Sequence, residues 1–156
     1  MKLTANITLD ELTKSQIAER KGINNNPNPQ QIENLKALAV NILQPVRSHF
    51  DRPLIISSGF RCAQLCTEIG SSINSQHVAD EGAAAADFEI PGVDNRELAL
   101  WIKNDRNCVR TYINFKRKHD RACIQTEPQR LFEIKAYRAE RGKPRKSSIY
   151  LQKGKG

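Results

Sequence analysis

A chain of 156 residues, 38% hydrophobic and 27% charged, is long enough to bury one core without disulfides or a structural metal, and it predicts a single domain over residues 1–156. No apolar run approaches the ~20 residues of a membrane-spanning helix, and Met1-Lys2-Leu3-Thr4-Ala5-Asn6 lacks the apolar centre of a secretory signal, so synthesis in the cytoplasm without a signal peptide is expected. The net charge of +8 is unevenly spread, at −3 over residues 1–102 and +11 over residues 103–156, so the C-terminal third is expected to attract acidic polymers or an acidic protein neighbour.

Taken in chain order, Thr8-Leu9-Asp10-Glu11 has the form of a capping box and predicts a helix from Leu9 to about Arg20, ended by Gly22. Asn24-Asn25-Asn26-Pro27 reads as a turn-rich linker, and Asn28-Pro29 as an N-cap followed by proline at the first helical position. The second helix then carries Ile32, Leu35, Leu38, Ile42, Leu43 and Val46 at three- and four-residue steps, with Pro45 expected to kink or shorten its last turn. Leu54-Ile55-Ile56-Ser57-Ser58 predicts a short buried strand leading into Gly59-Phe60-Arg61. A short helix over 62–69 and a polar loop over 70–75 deliver His77.

Residues 84–90 alternate as a strand with Asp87 and Glu89 on one face and Phe88 and Ile90 on the other, and Asp94-Asn95-Arg96-Glu97 starts a helix with Leu98, Trp101 and Ile102 inward. Strands are predicted over 109–115, 131–137 and 147–151. The four cysteines, Cys62, Cys66, Cys108 and Cys123, have no paired C-x2-C spacing and read as small buried thiols. Helices preceding strands point to an α+β fold, N-terminal helices packed on a small, mainly antiparallel sheet.

A catalytic zinc site takes three His, Asp, Glu or Cys ligands and leaves one position for water. His77 and Asp87 supply two candidates, and Arg61 at a strand end is placed to hold a substrate carboxylate or an oxyanion. Ile55-Ile56-Ser57-Ser58-Gly59-Phe60-Arg61, Ser75-Gln76-His77 and Gly82 through Ala85-Ala86-Asp87-Phe88, in this order and behind two helices, resemble the motifs of the M15 metallopeptidases over about residues 7–98. This is the family of D-Ala-D-Ala carboxypeptidases and phage endolysins. The resemblance implies a DD-peptidase-like α+β fold, Zn2+ as cofactor, His77 and Asp87 as metal ligands, Arg61 on the substrate, and peptidoglycan stem peptides cut at the cell wall, reached by lysis or from within a virion.

Three departures accompany the resemblance. The family spaces its ligands H-x-x-G-x-A-x-D, whereas here the stretch from His77 to Asp87 is three residues longer. A one-residue slip turns a strand side chain to the opposite face unless a bulge absorbs it, so Asp80 and Glu81 are alternative carboxylates. The family's third ligand, a histidine in a late W-x-H-like strand, has no counterpart after Asp87. The only later histidine, His119, is the remaining candidate, inside a run of positive charge over 116–121, and matching residues 132–138 to that strand puts Ile134 at the ligand position. Where family members carry a glutamate base, Tyr112-Ile113-Asn114-Phe115 offers Asn114. Two readings therefore stand: an active zinc peptidase, and a non-catalytic relative serving as a virion component or wall-binding part through its basic third. Few aromatics in that third argue against nucleic acid.

Overall fold

The computed structural model describes residues 1–104, 111–116 and 121–126. Helix α1 (Leu9–Thr13) starts on the expected capping box: the Thr8 hydroxyl accepts from the Glu11 amide and the Glu11 carboxylate accepts from the Thr8 amide. The single helix expected through Arg20 is instead two. The chain leaves helical geometry at Lys14 and restarts as α2 (Gln16–Lys21), with the Ser15 hydroxyl accepting from the Ala18 amide. An N-cap of this kind contributes about 1 kcal/mol. The break also resolves a conflict of phase, because Leu12 and Ala18 are both buried yet lie about 120° out of register on one continuous helix. Gly22 closes α2 in the left-handed region at φ 63°, where a side chain is disfavoured.

Helix α3 (Pro29–Leu38) begins at the Asn28 N-cap with Pro29 as expected. Pro45 does not end the helical run. A π-helical turn over Ala39–Leu43 precedes it, with the Gln44 amide donating to the Ala39 carbonyl, and α4 (Gln44–Phe50) continues beyond. The extra residue in the π turn accommodates a ring that has no N–H to donate and would crowd the preceding carbonyls. The apolar stripe stays in phase, so Leu35, Leu38, Ile42, Leu43 and Val46 are all buried.

The strands are β1 (Ile55–Ser58), β2 (Ala84–Glu89), β3 (Thr111–Lys116) and β4 (Arg121–Thr126). They form one antiparallel sheet in the order β1-β2-β4-β3. With its helices this is the α+β architecture the sequence predicts. Strand β1, expected to be buried, is an edge strand whose Ile55 is 48% exposed. Strand β4 is not predicted by the sequence pattern. Its pattern Arg121-Ala122-Cys123-Ile124-Gln125-Thr126 contains one large apolar side chain, Ile124, beside the smaller Ala122 and Cys123, yet it lies between β2 and β3. The strands expected over 131–137 and 147–151 lie outside the described residues.

Between β1 and β2 the sheet carries the helices α5 (Ala63–Glu68) and a 3-10 turn at Gln76–Val78, and after β2 comes α6 (Asn95–Asn104), whose first turn is capped by the Asp94 carboxylate accepting from the Arg96 and Glu97 amides. Ala84, Ala86, Phe88 and Ile90 of the β2 segment join the core formed by α1, α3, α4 and α6. Burying Phe88 and Phe60 fully contributes ~2–3 kcal/mol each relative to exposure. Successive strand residues alternate faces, so Ala85, Asp87 and Glu89 occupy the opposite face from this core, as the sequence predicts.

Candidate functional site

Asp87 and His77 meet on the face of β2 away from the helical core. Both are buried, Asp87 at 7% and His77 at 3% exposure, and the His77 Nε2 lies 3.7 Å from the Asp87 Oδ1. The three residues added between them do not turn Asp87 away. Strand β2 pairs with β4 without interruption from Ala84 to Phe88, and the surplus is held in the preceding turn, where Ala79, Glu81 and Gly82 all adopt positive φ and the Ala83 amide donates to the Asp80 carbonyl. Asp80 and Glu81 are exposed, and Asp80 accepts from the Gln31 side-chain amide on α3. The bulge weighed from the sequence is present, but in β1: Ile56 pairs with Phe88 and Ser58 with Asp87, leaving Ser57 as the extra residue.

The segment Ser58-Gly59-Phe60-Arg61 has a physical reason at each position. The backbone of Gly59 approaches α1 so closely that a Cβ there would sit 2.2 Å from the Leu12 carbonyl oxygen, and the next amide, that of Phe60, donates to that same oxygen. The Phe60 ring is in the core. The Gly59 carbonyl accepts from the His77 Nδ1 at 2.7 Å. A carbonyl oxygen only accepts, so the proton is on Nδ1 and, in the neutral ring, Nε2 presents its lone pair. Arg61 lies across the carboxylate, its Nη2 3.5 Å from the Asp87 Oδ2, while its Nε and Nη2 donate to the Ser58 hydroxyl at 2.9 and 2.6 Å. The Ser75 hydroxyl of the Ser75-Gln76-His77 motif caps the 3-10 turn by accepting from the His77 amide.

Two asparagines and a glutamine brace this assembly from behind. Asn25, in the segment read from sequence as a linker, is buried: its side-chain amide donates to the Thr13 and Phe60 carbonyls and its oxygen accepts from the Cys62 amide. Asn34 and Gln31 of α3 donate to the Ala79 and Val78 carbonyls at 2.7 and 3.0 Å, holding the chain just after His77. No motif flagged these residues, and the only sequence signal was an amide side chain on an otherwise apolar helical stripe at Asn34.

The donors suit a divalent cation. Two atoms bound to a tetrahedral zinc at ~2.0–2.1 Å lie about 3.4 Å apart, close to the observed Nε2–Oδ1 separation. The Asp87 Oδ1 is buried and has no hydrogen-bond partner among the described residues, a costly state for a carboxylate oxygen that a cation would relieve. Metal-binding histidines commonly donate the other ring N–H to a backbone carbonyl, which fixes the tautomer and the ring orientation, as Gly59 does for His77. The described residues contain no group of three His, Cys, Asp or Glu poised around one point. His119, the sequence candidate for the third ligand, lies outside the described residues, as does Ile134. The third histidine of the chain, His49, stacks on Trp101 at 4.3 Å.

A model of the Peptidase M15 family matches residues 5–120. No curated protein and no solved structure matches the chain.

Proposed function

Because the chain belongs to the M15 peptidase family, we propose that it is a zinc-dependent peptidase acting on peptidoglycan stem peptides, as a D-Ala-D-Ala carboxypeptidase or an endolysin-type enzyme. The observation that carries this reading is the buried pair of His77 Nε2 and Asp87 Oδ1, 3.7 Å apart, with the histidine proton fixed on the other nitrogen. His77 and Asp87 hold the metal. Bound there, zinc supplies Lewis acidity toward a peptide carbonyl and its attacking water.

The remaining work falls to the protein. Arg61 is only partly exposed and already oriented by Ser58 and Asp87, while its Nη1 has no partner among the described residues. That nitrogen is the group offered to a substrate carboxylate or to the charge that develops on the carbonyl oxygen, and a pre-oriented guanidinium costs little reorganisation in doing so. In this reading the enzyme acts at the cell wall, reached by lysis or from a virion, and the +11 segment over residues 103–156 holds it to acidic wall polymer or virion proteins. The test is metal analysis of the purified chain with hydrolysis of peptides ending in D-Ala-D-Ala. About one zinc per chain, and turnover removed by a chelator and restored by zinc, is the expected result; absence of both zinc and turnover rejects the proposal.

A second reading, an M15 fold retained as a wall-binding or virion part, draws on one observation: the residue of β3 where a carboxylate base belongs is Asn114, whose amide takes up no proton at neutral pH. It predicts salt-sensitive binding to acidic polymer without hydrolysis.

A further inference from the structure

The turn that carries Arg61 lies between elements, so its backbone groups need partners from elsewhere. Strand β1 ends at Ser58 and α5 begins at Ala63. The two peptide planes that flank the Arg61 Cα set its φ and ψ, and both are held. In the first, the Phe60 carbonyl accepts from the Asn25 Nδ2 at 3.1 Å and the Arg61 amide donates to the His77 carbonyl at 2.9 Å. In the second, the Cys62 amide donates to the Asn25 Oδ1 at 2.8 Å, and the Arg61 carbonyl accepts from the Cys66 thiol at 3.9 Å. One buried carboxamide thus grips both planes. Its other N–H donates to the Thr13 carbonyl at 2.9 Å, which ties the turn to the end of α1. A flipped amide would set its oxygen against two carbonyls, so its orientation is fixed by these partners.

We propose that Asn25 is a positioning residue of the candidate site and acts through Arg61. By holding both peptide planes it sets the direction in which the Arg61 side chain leaves the backbone, and so where the guanidinium arrives. This role rests on the peptidase reading above, in which Arg61 meets the substrate. The far end of the side chain is held separately, by the Ser58 hydroxyl at 2.9 and 2.6 Å and by the Asp87 Oδ2 at 3.5 Å. Asn25 holds the root. Because the first plane is also bonded to the His77 carbonyl, the root of Arg61 and the chain at His77 keep one frame. A displacement of about 1 Å at such a group can cost on the order of a hundredfold in rate, so a brace with no substrate contact can still govern turnover. The neighbouring Asn24 and Asn26 are exposed, which marks Asn25 as the one residue of that run turned inward.

The test compares the unaltered full chain with Asn25→Ala, the milder Asn25→Ser, Arg61→Met and a control, Val46→Ala, which lowers stability by truncating a buried core residue of α4. Nitrogen-15 NMR of the folded proteins reads Arg61 directly, through the Nε–H that donates to the Ser58 hydroxyl, identified by its loss in Arg61→Met. Its exchange with solvent is expected to be about tenfold or more faster in both Asn25 variants and to stay within about twofold in Val46→Ala. In hydrolysis of D-Ala-D-Ala peptides, Asn25→Ala is expected to lower kcat/KM about tenfold in the unaltered background and less than about twofold on top of Arg61→Met, the non-additivity of one residue acting through another. An Nε–H unchanged in the Asn25 variants, or equal losses of kcat/KM in the two backgrounds, overturns the proposal. Absence of zinc and turnover in the unaltered chain overturns the peptidase reading, and the NMR comparison then still decides whether Asn25 places Arg61.

Discussion

The two sides of the His77–Asp87 pair are constructed in different ways. On the β1 side, His77 and Arg61 are fixed by short-range devices: a glycine that lets two backbones touch, a carbonyl that sets the histidine tautomer, a serine that holds the guanidinium, and Asn25, which ties three separate backbone groups together. On the β4 side, what pairs with Asp87 is fixed only by strand register, between residues more than 30 positions apart. Local devices need particular residue types and so leave a motif. Register needs only alternation and leaves almost none.

Variants that break or sharpen this contrast can be ordered by expected effect. The largest follows from the proposed function: with His77 and Asp87 as zinc ligands, His77→Ala or Asp87→Asn is expected to abolish zinc retention and lower peptide hydrolysis by about a thousandfold or more, read by metal analysis and turnover. Next is Gly59→Ala. The added methyl must displace backbone at Leu12, so a loss of about 2–3 kcal/mol is expected from the urea midpoint. Asn25→Ala strands two carbonyls and one amide in a buried place and should cost about 2 kcal/mol in the same assay. A stability change for Asn25→Ala equal to that of an exposed asparagine such as Asn26 would show that the β1 side is less tightly determined than its hydrogen bonds imply.

Ser58→Ala tests function more than stability. Arg61 keeps its Asp87 contact but loses the hydroxyl that accepts two of its N–H groups, so kcat/KM should fall several-fold while stability changes by less than about 1 kcal/mol. The smallest effect concerns pH. Burial pushes the Cys66 thiol up from its ordinary pKa, with the nearby Arg61 charge partly opposing. The folded state therefore favours the protonated thiol. Its contribution is fully present below the unfolded thiol's pKa and is lost as pH rises through the folded value, so urea midpoints should fall at alkaline pH, less so in Cys66→Ala.

Much of the site was legible before the fold. The motif residues Arg61, His77 and Asp87, far apart in the chain, come together in the fold, and the resemblance drawn over residues 7–98 is matched by a family model that reaches Ala5 and Asp120. Less visible were features that depend on competition between elements. Ser15 splits a helix that its flanking residues would otherwise continue, because the hydroxyl caps one segment while Leu12 and Ala18 both reach the core. Pro45 is absorbed by a π turn instead of ending its helix. Asn25 reads as linker composition and functions as a buried three-way brace.

By itself, then, the sequence determined the α+β class and the helical stripe and singled out His77, Asp87 and Arg61 as candidates, since each depends on residue type and near neighbours. Tertiary structure alone decided that the lengthened turn leaves Asp87 facing His77, that Asp80 and Glu81 remain outside, and that Cys123 stands opposite Asp87. Those outcomes are set by which strands pair and in what register, and pairing energy is shared among many backbone hydrogen bonds that carry no side-chain signature.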